Sequence, residues 1–524
     1  MKVAVEGEPM RARFASRWTQ SIIVLAAVAL VTLTVVGPAA VATSATPGSW
    51  PYSNGDLSNT RDAVGSTITA ANVSTLKKAW SFVLKGKSTK NVGGYGTLAA
   101  NPIVLDGVVY MQDLHSNVYA LSLATGKLEW SYYVNKKEKS GPGPNGVAVV
   151  NGAVYGATPY AVFALNATTG QLLWSNDTLL KKGQGSFGIQ PQVANGRVYV
   201  ASQYGLVPGG GVLLALNATT GKRIWTFKTV PKPDQGAQSL GLGAGGAWET
   251  PLVSPDGSVT FGIGNPYQTM ASAISSPGKL LYTDSVVKLN AATGKLRWYY
   301  QAVSNDFKDY DMQASPIATT ANGVSVIIGG GKMGTVYEMN ATSGTLMWKT
   351  PVGAHDGHDN DSTKALSGKS KLTVPYTYEP GALGGILTNM AVAGSTVYVA
   401  TCNFAFRFTS TDQVNGLNVG KKISGDIEAL NTVSGQVEWK TPVGSLPLGA
   451  ATVSNNLVFT TLVNGELLAL NRSSGAIVFT QQLPRATNSP IAIAGNTVIV
   501  PAGGPKYGKG KGPSQIVAYA LPPA

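Results

Sequence analysis

Short runs of alternating apolar and polar residues recur along most of the chain, and Gly, Asn, Asp and Ser separate them. This period of two, interrupted by turn residues, is typical of β-strands. One unit combines a strand, a turn at Thr-Gly or Ser-Gly, and a second strand with an aromatic residue. It occurs seven times, as ALSLATGKLEW (120–130), ALNATTGQLLW (164–174), ALNATTGKRIW (215–225), KLNAATGKLRW (288–298), EMNATSGTLMW (338–348), ALNTVSGQVEW (429–439) and ALNRSSGAIVF (469–479). We expect the aromatic residue to be buried between neighbouring repeats.

A second unit is a hairpin with a tight turn between β-branched residues. It occurs eight times, with turns at Asp106-Gly107, Asn151-Gly152, Asn195-Gly196, Asp256-Gly257, Asn322-Gly323, Gly394-Ser395, Asn455-Asn456 and Gly495-Asn496. The last hairpin is followed only by IVAYAL (516–521), whereas LKKAWSF (76–82) near the start carries Trp80 without a preceding strand. We therefore predict an all-β, eight-bladed β-propeller of four-stranded antiparallel blades. Its ring is closed by an N-terminal strand that pairs with the C-terminal blade.

The aromatic residues of the repeats are spaced unevenly. Two long gaps predict insertions at roughly 226–283 and 353–385. Because long loops on a rigid scaffold often carry function, these insertions are candidates for a site.

The first 42 residues have the pattern of a secretory signal. Arg11, Arg13 and Arg17 precede the uncharged apolar run 22–36, and Ala40-Val41-Ala42 offers a cleavage site of small residues. The run is short for a membrane span, although an uncleaved anchor is the alternative. We predict a signal peptide at 1–42 and the propeller at 43–524, in an exported, periplasmic or extracellular protein without a stable membrane span after processing.

The composition excludes several classes of protein. With 13% charged and 44% hydrophobic residues, the chain is not disordered. Its one cysteine, Cys402, excludes a disulfide framework and any site built from several cysteines. The net charge of +14 fits either a solvated basic surface or a docking patch for an acidic partner. No nucleic-acid-binding module is present in the sequence.

Four polar segments could carry chemistry. In NDFKDYD (305–311), three clustered carboxylates require a cation, a shared proton or solvent, so the segment is a base, a hard-cation site or a solvated loop. In GIGNP (262–266), Asn265 can offer an amide oxygen to a hard cation, and Trp248 lies upstream. GGGKMG (329–334) places Lys332 at a strand end, without the spacing of a phosphate loop. HDGHDND (355–361) is a surface loop or a calcium site.

Taken together, these features resemble the quinoprotein alcohol dehydrogenases, which bind pyrroloquinoline quinone (PQQ). The seven units resemble that family's tryptophan-docking motif, and the similarity extends over about residues 50–524. Near the end, SGDIEALN (424–431), LGAATV (448–453), LVFTT (457–461) and NGELLAL (464–470) follow the family in order. Polymer-oxidising members, such as polyvinyl-alcohol dehydrogenase, share this plan.

The resemblance implies a role for particular residues. Asp309 would be the catalytic base and also approach calcium, with Asp311 as the alternative alignment. The other implied roles are stacking of the quinone on Trp248, contact of Lys332 with the quinone oxygens, a cofactor contact from the Thr158 hydroxyl, and calcium ligation by Asn265. The family's adjacent cysteine pair is absent, and Leu206 stands where a glutamate ligand is expected.

Two functions follow from these observations. The first is oxidation of a small-molecule alcohol, a sugar or a polymer hydroxyl with PQQ and Ca²⁺. Electrons then pass to an external acceptor such as a cytochrome, because the chain has no haem-attachment motif. The alternative is a non-catalytic extracytoplasmic propeller that acts as a protein-assembly scaffold or binding module.

Overall fold

The computed structural model describes residues 48–523, with gaps at 86–91, 93, 135–145, 206–208, 232–243, 369–370, 420–422, 506–507 and 509–511. The predicted signal peptide at 1–42 and Leu206 lie outside the described residues. Within the described part of the chain, no helix has the length and apolarity needed to cross a membrane.

Eight four-stranded antiparallel sheets form the predicted blades. Blades 1 to 4 contain, in order, β2 (Ile103–Leu105), β3 (Val108–Gln112), β4 (Val118–Ser122) and β5 (Leu128–Tyr132); β6 (Ala148–Val150), β7 (Ala153–Ala157), β8 (Val162–Asn166) and β9 (Leu172–Asn176); β10 (Gln192–Ala194), β11 (Arg197–Ala201), β12 (Gly209–Asn217) and β13 (Arg223–Val230); and β14 (Leu252–Ser254), β15 (Ser258–Ile263), β16 (Ser285–Asn290) and β17 (Leu296–Gln301).

Blades 5 to 8 continue this pattern. They contain β18 (Ile317–Ala321), β19 (Val324–Gly331), β20 (Thr335–Asn340) and β21 (Leu346–Pro351); β23 (Ala391–Ala393), β24 (Thr396–Asn403), β27 (Ser424–Asn431) and β28 (Val437–Val443); β29 (Thr452–Ser454), β30 (Leu457–Thr461), β31 (Glu466–Asn471) and β32 (Ile477–Gln482); and β33 (Ala492–Ala494), β34 (Thr497–Ala502) and β35 (Gln515–Ala520) with β1 (Lys77–Val83). A 3₁₀ turn at Val73–Thr75 precedes β1.

The ring closes as the sequence predicts. β1 pairs antiparallel with β35, from Lys77 opposite Ala520 to Val83 opposite Gln515, and so supplies the fourth strand of blade 8. The first strands of consecutive blades contact one another from blade 8 through blade 1 to blade 7. Blades 7 and 8 share an apolar core that includes Phe459 and Val498. Each blade therefore packs against a neighbouring blade on both sides, and the ring is closed.

The repeated tryptophans lie between blades, as expected. Each indole N–H donates to a backbone carbonyl in the turn of the next blade, in the pairs Trp80–Leu123 (2.7 Å), Trp130–Ala167 (2.8 Å), Trp174–Ala218 (2.9 Å), Trp225–Ala291 (3.0 Å), Trp298–Ala341 (3.1 Å), Trp348–Thr432 (2.9 Å) and Trp439–Arg472 (3.0 Å). The turn must contain Gly, because a Cβ at Gly294 would lie 2.7 Å from the Trp225 ring. Phe479 takes the aromatic position in blade 7. The third and fourth strands of blade 8, β35 and β1, are far apart in the sequence, so among the described residues no tight turn joins them to receive the ring.

An N-terminal segment, residues 50–63, runs along the inner strands of the ring. It exchanges backbone hydrogen bonds with Val104 of β2, Val253 of β14, Ala318 of β18, Val392 of β23 and Val453 of β29. Because these are the first strands of five blades, the segment lies at the axis of the ring. Arg61 is fully buried there and donates to the carbonyls of Ala451 and Ile491.

The predicted insertions carry additional elements. The first contains helix α1 (Met270–Ser275), and the second contains α2 (Asp361–Leu366) and β22 (Tyr376–Tyr378). A third insertion, which the sequence analysis did not separate, lies between β24 and β27 and contains β25 (Phe406–Phe408) and β26 (Leu417–Asn418). β22, β25 and β26 form one small sheet. The third insertion was missed because it falls in the same gap between tryptophans as the second.

Candidate functional site

Five candidate residues lie on the same face of the ring. In an antiparallel blade, the link from the second to the third strand leaves on the same side as the link from the fourth strand to the next blade. Asn265, Lys332 and Thr158 lie in links of the first kind, and Trp248 and Asp309 in links of the second kind. The opposite face carries the tight hairpin turns. The fold therefore collects these five positions above one end of the axis.

Lys332 is the centre of a buried polar cluster. Its Nζ atom lies 2.8 Å from Oδ2 of Asp309 and 2.6 Å from Oδ2 of Asp311. The side-chain amide of Asn265 donates to Oδ1 of Asp309, and the backbone N–H of Asn265 donates to Oδ1 of Asp311 at 2.8 Å. All four residues are buried. Blade 4, the 4–5 connection and blade 5 thus contribute to one cluster.

Trp248 reaches this cluster through Gly264. A Cβ at Gly264 would lie 2.6 Å from Oδ1 of Asp311 and 2.9 Å from Cη2 of Trp248, so only Gly leaves room for both. Trp248 is half-buried, and its indole and the Asp311 carboxylate both lie against Gly264.

Thr158 is buried but is engaged within its own turn. Its hydroxyl oxygen accepts the backbone N–H of Tyr160 at 3.2 Å and of Ala161 at 3.0 Å. No described hydrogen bond links it to the Lys332 cluster. A cofactor contact at Thr158 stays a prediction.

The charges of the cluster depend on one another. Burial raises the pKa of Asp309, and the neighbouring Lys332 ammonium opposes that rise. Burial also disfavours the charge of Lys332, but the facing carboxylates of Asp309 and Asp311 outweigh it and raise the pKa of Lys332 well above its usual value. Lys332 is therefore a fixed positive charge, whereas Asp309 is a carboxyl group that takes up a proton more readily than an exposed aspartate.

Lys308, in the middle of the 305–311 loop, is fully buried. Its Nζ atom donates to the carbonyl of His358 at 2.6 Å and lies 4.5 Å from the centre of the Tyr310 ring. Burial lowers the pKa of Lys308 to about 8. The residue therefore attaches the 305–311 loop to the second insertion.

The HDGHDND segment binds largely to itself. Nδ1 of His355 lies 2.7 Å from Asp359, and Nδ1 of His358 lies 2.7 Å from Asp361. Throughout the described part of the chain, no three or more His, Cys, Asp or Glu residues are grouped so that they could hold a metal ion. Of the two interpretations of this segment, a surface loop or a calcium site, these contacts support the surface loop.

The Lys332 cluster nevertheless has the donor chemistry for a hard cation and an anionic cofactor. Oδ1 of Asn265 is buried and has no hydrogen-bond partner among the described residues. An unpartnered amide oxygen next to the Asp309 carboxylate is the type of donor that hard cations prefer. The Lys332 ammonium suits an anionic oxygen of a cofactor. The residues present therefore fit both groups, with two aspartates and one amide as the oxygen donors.

Two acidic residues of this region received no role from the sequence. Asp284 is fully buried, neither carboxyl oxygen has a described hydrogen-bond partner, and its backbone N–H donates to the carbonyl of Gly264 at 3.1 Å. Asp306 was recognised only as a member of the acidic cluster. In the sequence, the one signal for Asp284 is an isolated acid at the start of an apolar strand.

Comparison with known proteins identifies the family. The family model for the glucose/ethanol/alcohol dehydrogenase β-propeller domain matches residues 50–150 and 186–354, and the model for outer membrane protein assembly factor BamB matches residues 423–519.

Among curated relatives, the dehydrogenase subunit of the quinone alcohol dehydrogenase of Gluconacetobacter polyoxogenes is 27% identical over a match that covers 83% of this chain and 68% of that protein. Quinohemoprotein alcohol dehydrogenase ADH IIB of Pseudomonas putida is 26% identical over a match that covers 83% of this chain and 70% of that protein.

Solved structures share the fold. Quinohemoprotein alcohol dehydrogenase ADHIIG of Pseudomonas putida HK5 superposes with a TM-score of 0.75 at 23% identity, over 91% of this chain and 80% of that chain. A europium-containing methanol dehydrogenase superposes with a TM-score of 0.73 at 18% identity, over 91% of this chain and 99% of that chain. Because the dehydrogenase model covers more than half of the sequence, the chain belongs to the PQQ-dependent quinoprotein dehydrogenase family of β-propellers.

Proposed function

We propose that this protein oxidises an alcohol, a sugar or a polymer hydroxyl with PQQ and passes the electrons to an external acceptor such as a cytochrome. The observation that carries the proposal is the convergence of Asn265, Asp309 and Lys332 in one buried cluster, beside Trp248. We further propose that the protein is exported and that residues 1–42 direct the export.

Each of these side chains has a task in the proposed reaction. Asn265 and Asp309 would hold a hard cation, Ca²⁺ in the simplest case, through their oxygen atoms. Lys332 would bind the quinone oxygens, and Trp248 would provide a flat surface for the ring. When bound, PQQ supplies the acceptor for the hydride and its electron pair.

Asp309 would accept the hydroxyl proton of the substrate. Its carboxylate lies in a buried site, where burial raises its pKa and makes it a better base than a solvated aspartate. Lys332 balances part of that negative charge, but the pKa of Asp309 still rises to about 8, so the basic carboxylate form gains population as the pH rises above neutral.

The scaffold alternative has one specific observation in its favour, which is the match of residues 423–519 to the assembly-factor model. A scaffold, however, gains nothing from an ammonium group buried between two carboxylates, because desolvation of three charged groups is costly. The redox proposal gives this arrangement a purpose.

The first prediction is that the purified protein gains dye-linked dehydrogenase activity and a bound-quinone absorbance when it is titrated with PQQ and a hard cation. Ca²⁺ and Eu³⁺ are tested separately, since one solved neighbour is described as europium-containing. The substrate panel contains primary alcohols, sugars and polyvinyl alcohol. Asp309→Asn should lower kcat by about 10²-fold or more, because it removes the base.

The control is Asp113→Asn. Asp113 is also a fully buried aspartate in a link on the same face, but in blade 1, and it accepts hydrogen bonds from His115, Asn117 and Tyr119. This variant should keep the activity. If no quinone binds and no substrate is oxidised with either cation, the redox proposal is wrong and the scaffold alternative stands.

A further inference from the structure

Asp306 holds the backbone N–H groups of Lys308 and Tyr310, the residues on either side of Asp309. Its Oδ1 atom accepts the backbone N–H of Lys308 at 2.9 Å, and its Oδ2 atom accepts the backbone N–H of Tyr310 at 2.8 Å. The carboxylate is buried with the rest of the loop. The side chain of Asp306 therefore binds the backbone on both sides of Asp309, the proposed base.

Asp309 needs such a constraint. Its φ angle is +67°, in the left-handed region that residues other than Gly adopt only rarely. If the flanking N–H groups were released, the backbone could return to a commoner conformation, and the carboxylate would leave Asn265 and Lys332. The hydrogen bonds of Asp306 oppose that change.

The same loop is fixed to both large insertions. Nδ2 of Asn305 donates to the carbonyl of Ala273 in α1 at 3.0 Å and to that of Ser362 in α2 at 3.3 Å. Oδ1 of Asn305 accepts from Nε2 of Gln268 at 3.0 Å. The hydroxyl of Ser362 donates to Oδ1 of Asp306 at 3.4 Å. The two insertions thus hold the beginning of the loop, Asn305 and Asp306, in place by hydrogen bonds.

We propose that Asp306 is a positioning residue, which fixes the carboxylate of Asp309 between Asn265 and Lys332. It acts through the backbone, since its described hydrogen bonds go to Lys308, Tyr310 and Ser362 and none goes to the Lys332 cluster. This role rests on the proposed function, because it gives the loop a catalytic purpose.

The second prediction concerns Asp306→Asn. An asparagine offers only one acceptor oxygen, and its NH₂ group would face a backbone N–H, so one of the two bonds is lost. A displacement of about 1 Å in a reacting group can cost up to about 10²-fold in rate. We expect kcat to fall by about 10-fold or more while KM for the alcohol changes less than about 3-fold, because substrate contacts remain.

Asp113→Asn is the matched control, since it disrupts an equally buried turn of blade 1. Both variants should lose similar thermal stability, but only Asp306→Asn should lose kcat. Equal losses of kcat in both variants would reduce Asp306 to a structural residue and overturn the proposal. A crystal structure of Asp306→Asn supplies a readout that does not depend on activity.

In that crystal structure we expect the Asp309 carboxylate to have moved away from Nζ of Lys332, compared with 2.8 Å in the parent protein. If Asp309 keeps both of its contacts, the positioning role is wrong even where the wild type is active. If the wild type binds no quinone and oxidises nothing, the proposed function fails, and the crystal structure still decides whether Asp306 sets the place of Asp309.

Discussion

Asp284 is a carboxyl group that the fold buries without any described hydrogen-bond partner. Burial and the nearby acids Asp306, Asp311 and Asp309 raise its pKa well above the usual value for aspartate. Its left-handed backbone and its bond to Gly264 keep it next to the Lys332 cluster. The folded protein therefore favours the protonated form of Asp284, whereas in the unfolded chain its carboxyl group has the ordinary pKa of an aspartate.

The third prediction follows from that difference. A folded-state pKa above the unfolded value gives stability that is fully present below about pH 4 and is lost as the pH rises through the folded pKa. Asp284→Asn, which stays neutral, should escape this loss. We expect the variant to be more stable than the wild type at pH 8 by about 1–3 kcal/mol, and close to it at pH 4.

Urea denaturation of both proteins at the two pH values measures this effect. Comparison of variant with wild type cancels the titration of acids that do not interact with Asp284, whereas the response of its neighbours Asp306, Asp309 and Asp311 is measured together with that of Asp284. A stability difference that is the same at pH 4 and pH 8 would mean that Asp284 does not change its protonation on folding.

At the scale of single residues, the sequence analysis could name as candidate site residues only those that stand in a recognisable motif. Asn265, Asp309 and Lys332 each follow a strand in a short pattern of their own, and strand order brings such ends together. Asp284 and Asp306 could not be assigned, because their properties depend on neighbours distant in sequence, such as Gly264 and Ser362. The roles of all the site residues stay predictions.

At the scale of secondary structure, the tryptophan contacts join one blade to the next. In each case the indole contributes both its ring, which packs on a turn Gly, and its N–H, which binds a backbone carbonyl. At the corresponding position blade 7 has Phe479, whose ring can pack but has no N–H group to donate. The interface between blades 7 and 8 is therefore held by apolar packing and lacks this hydrogen bond.

The fourth prediction compares the two kinds of interface. Trp225→Phe keeps an aromatic ring but removes the hydrogen bond to Ala291, so the free energy of unfolding should fall by about 1 kcal/mol. Phe479→Trp should give no matching gain, since blade 8 offers no turn to accept the N–H. Guanidinium denaturation of both variants provides the measurement. A gain of about 1 kcal/mol in Phe479→Trp would show that the acceptor turn is not required.

The blades could be predicted because in six of the eight every strand pairs with its neighbour in sequence, so that period and turn residues are sufficient. The sheet of β22, β25 and β26 could not, because its strands have two or three residues and come from different insertions. Strands this short carry no readable alternation. Helices α1 and α2, with six residues each, were missed for the same reason.

At the scale of the whole molecule, closure depends on β1. It covers the outer side of β35 and carries Trp80, which binds the turn of blade 1. The strand therefore completes one blade and docks on the next. Without it, β35 would present an unpaired edge to solvent.

The fifth prediction is that a chain starting at residue 84 fails to form a stable monomer, whereas a chain starting at Gly48 retains the β1 pairing and the bonds of the 50–63 segment. Size-exclusion chromatography and the cooperativity of thermal unfolding compare the two. We expect aggregation and a broad transition for the shorter chain, because it loses both the edge cover and the axial segment. A monomer with an unchanged transition would show that neither is needed.

The pairing of β1 with β35 also has a consequence for the order of events during synthesis. The ribosome produces Trp80 long before Ala518, which lies opposite it in β35, so the early strand has to wait for its partner. The 50–63 segment must likewise wait until the inner strands of five blades have been made. Blades can form one after another as the chain grows, but the circle can be completed only after β35 has been made. Until then, the nascent chain has one strand and one axial segment that other proteins, including chaperones, can reach.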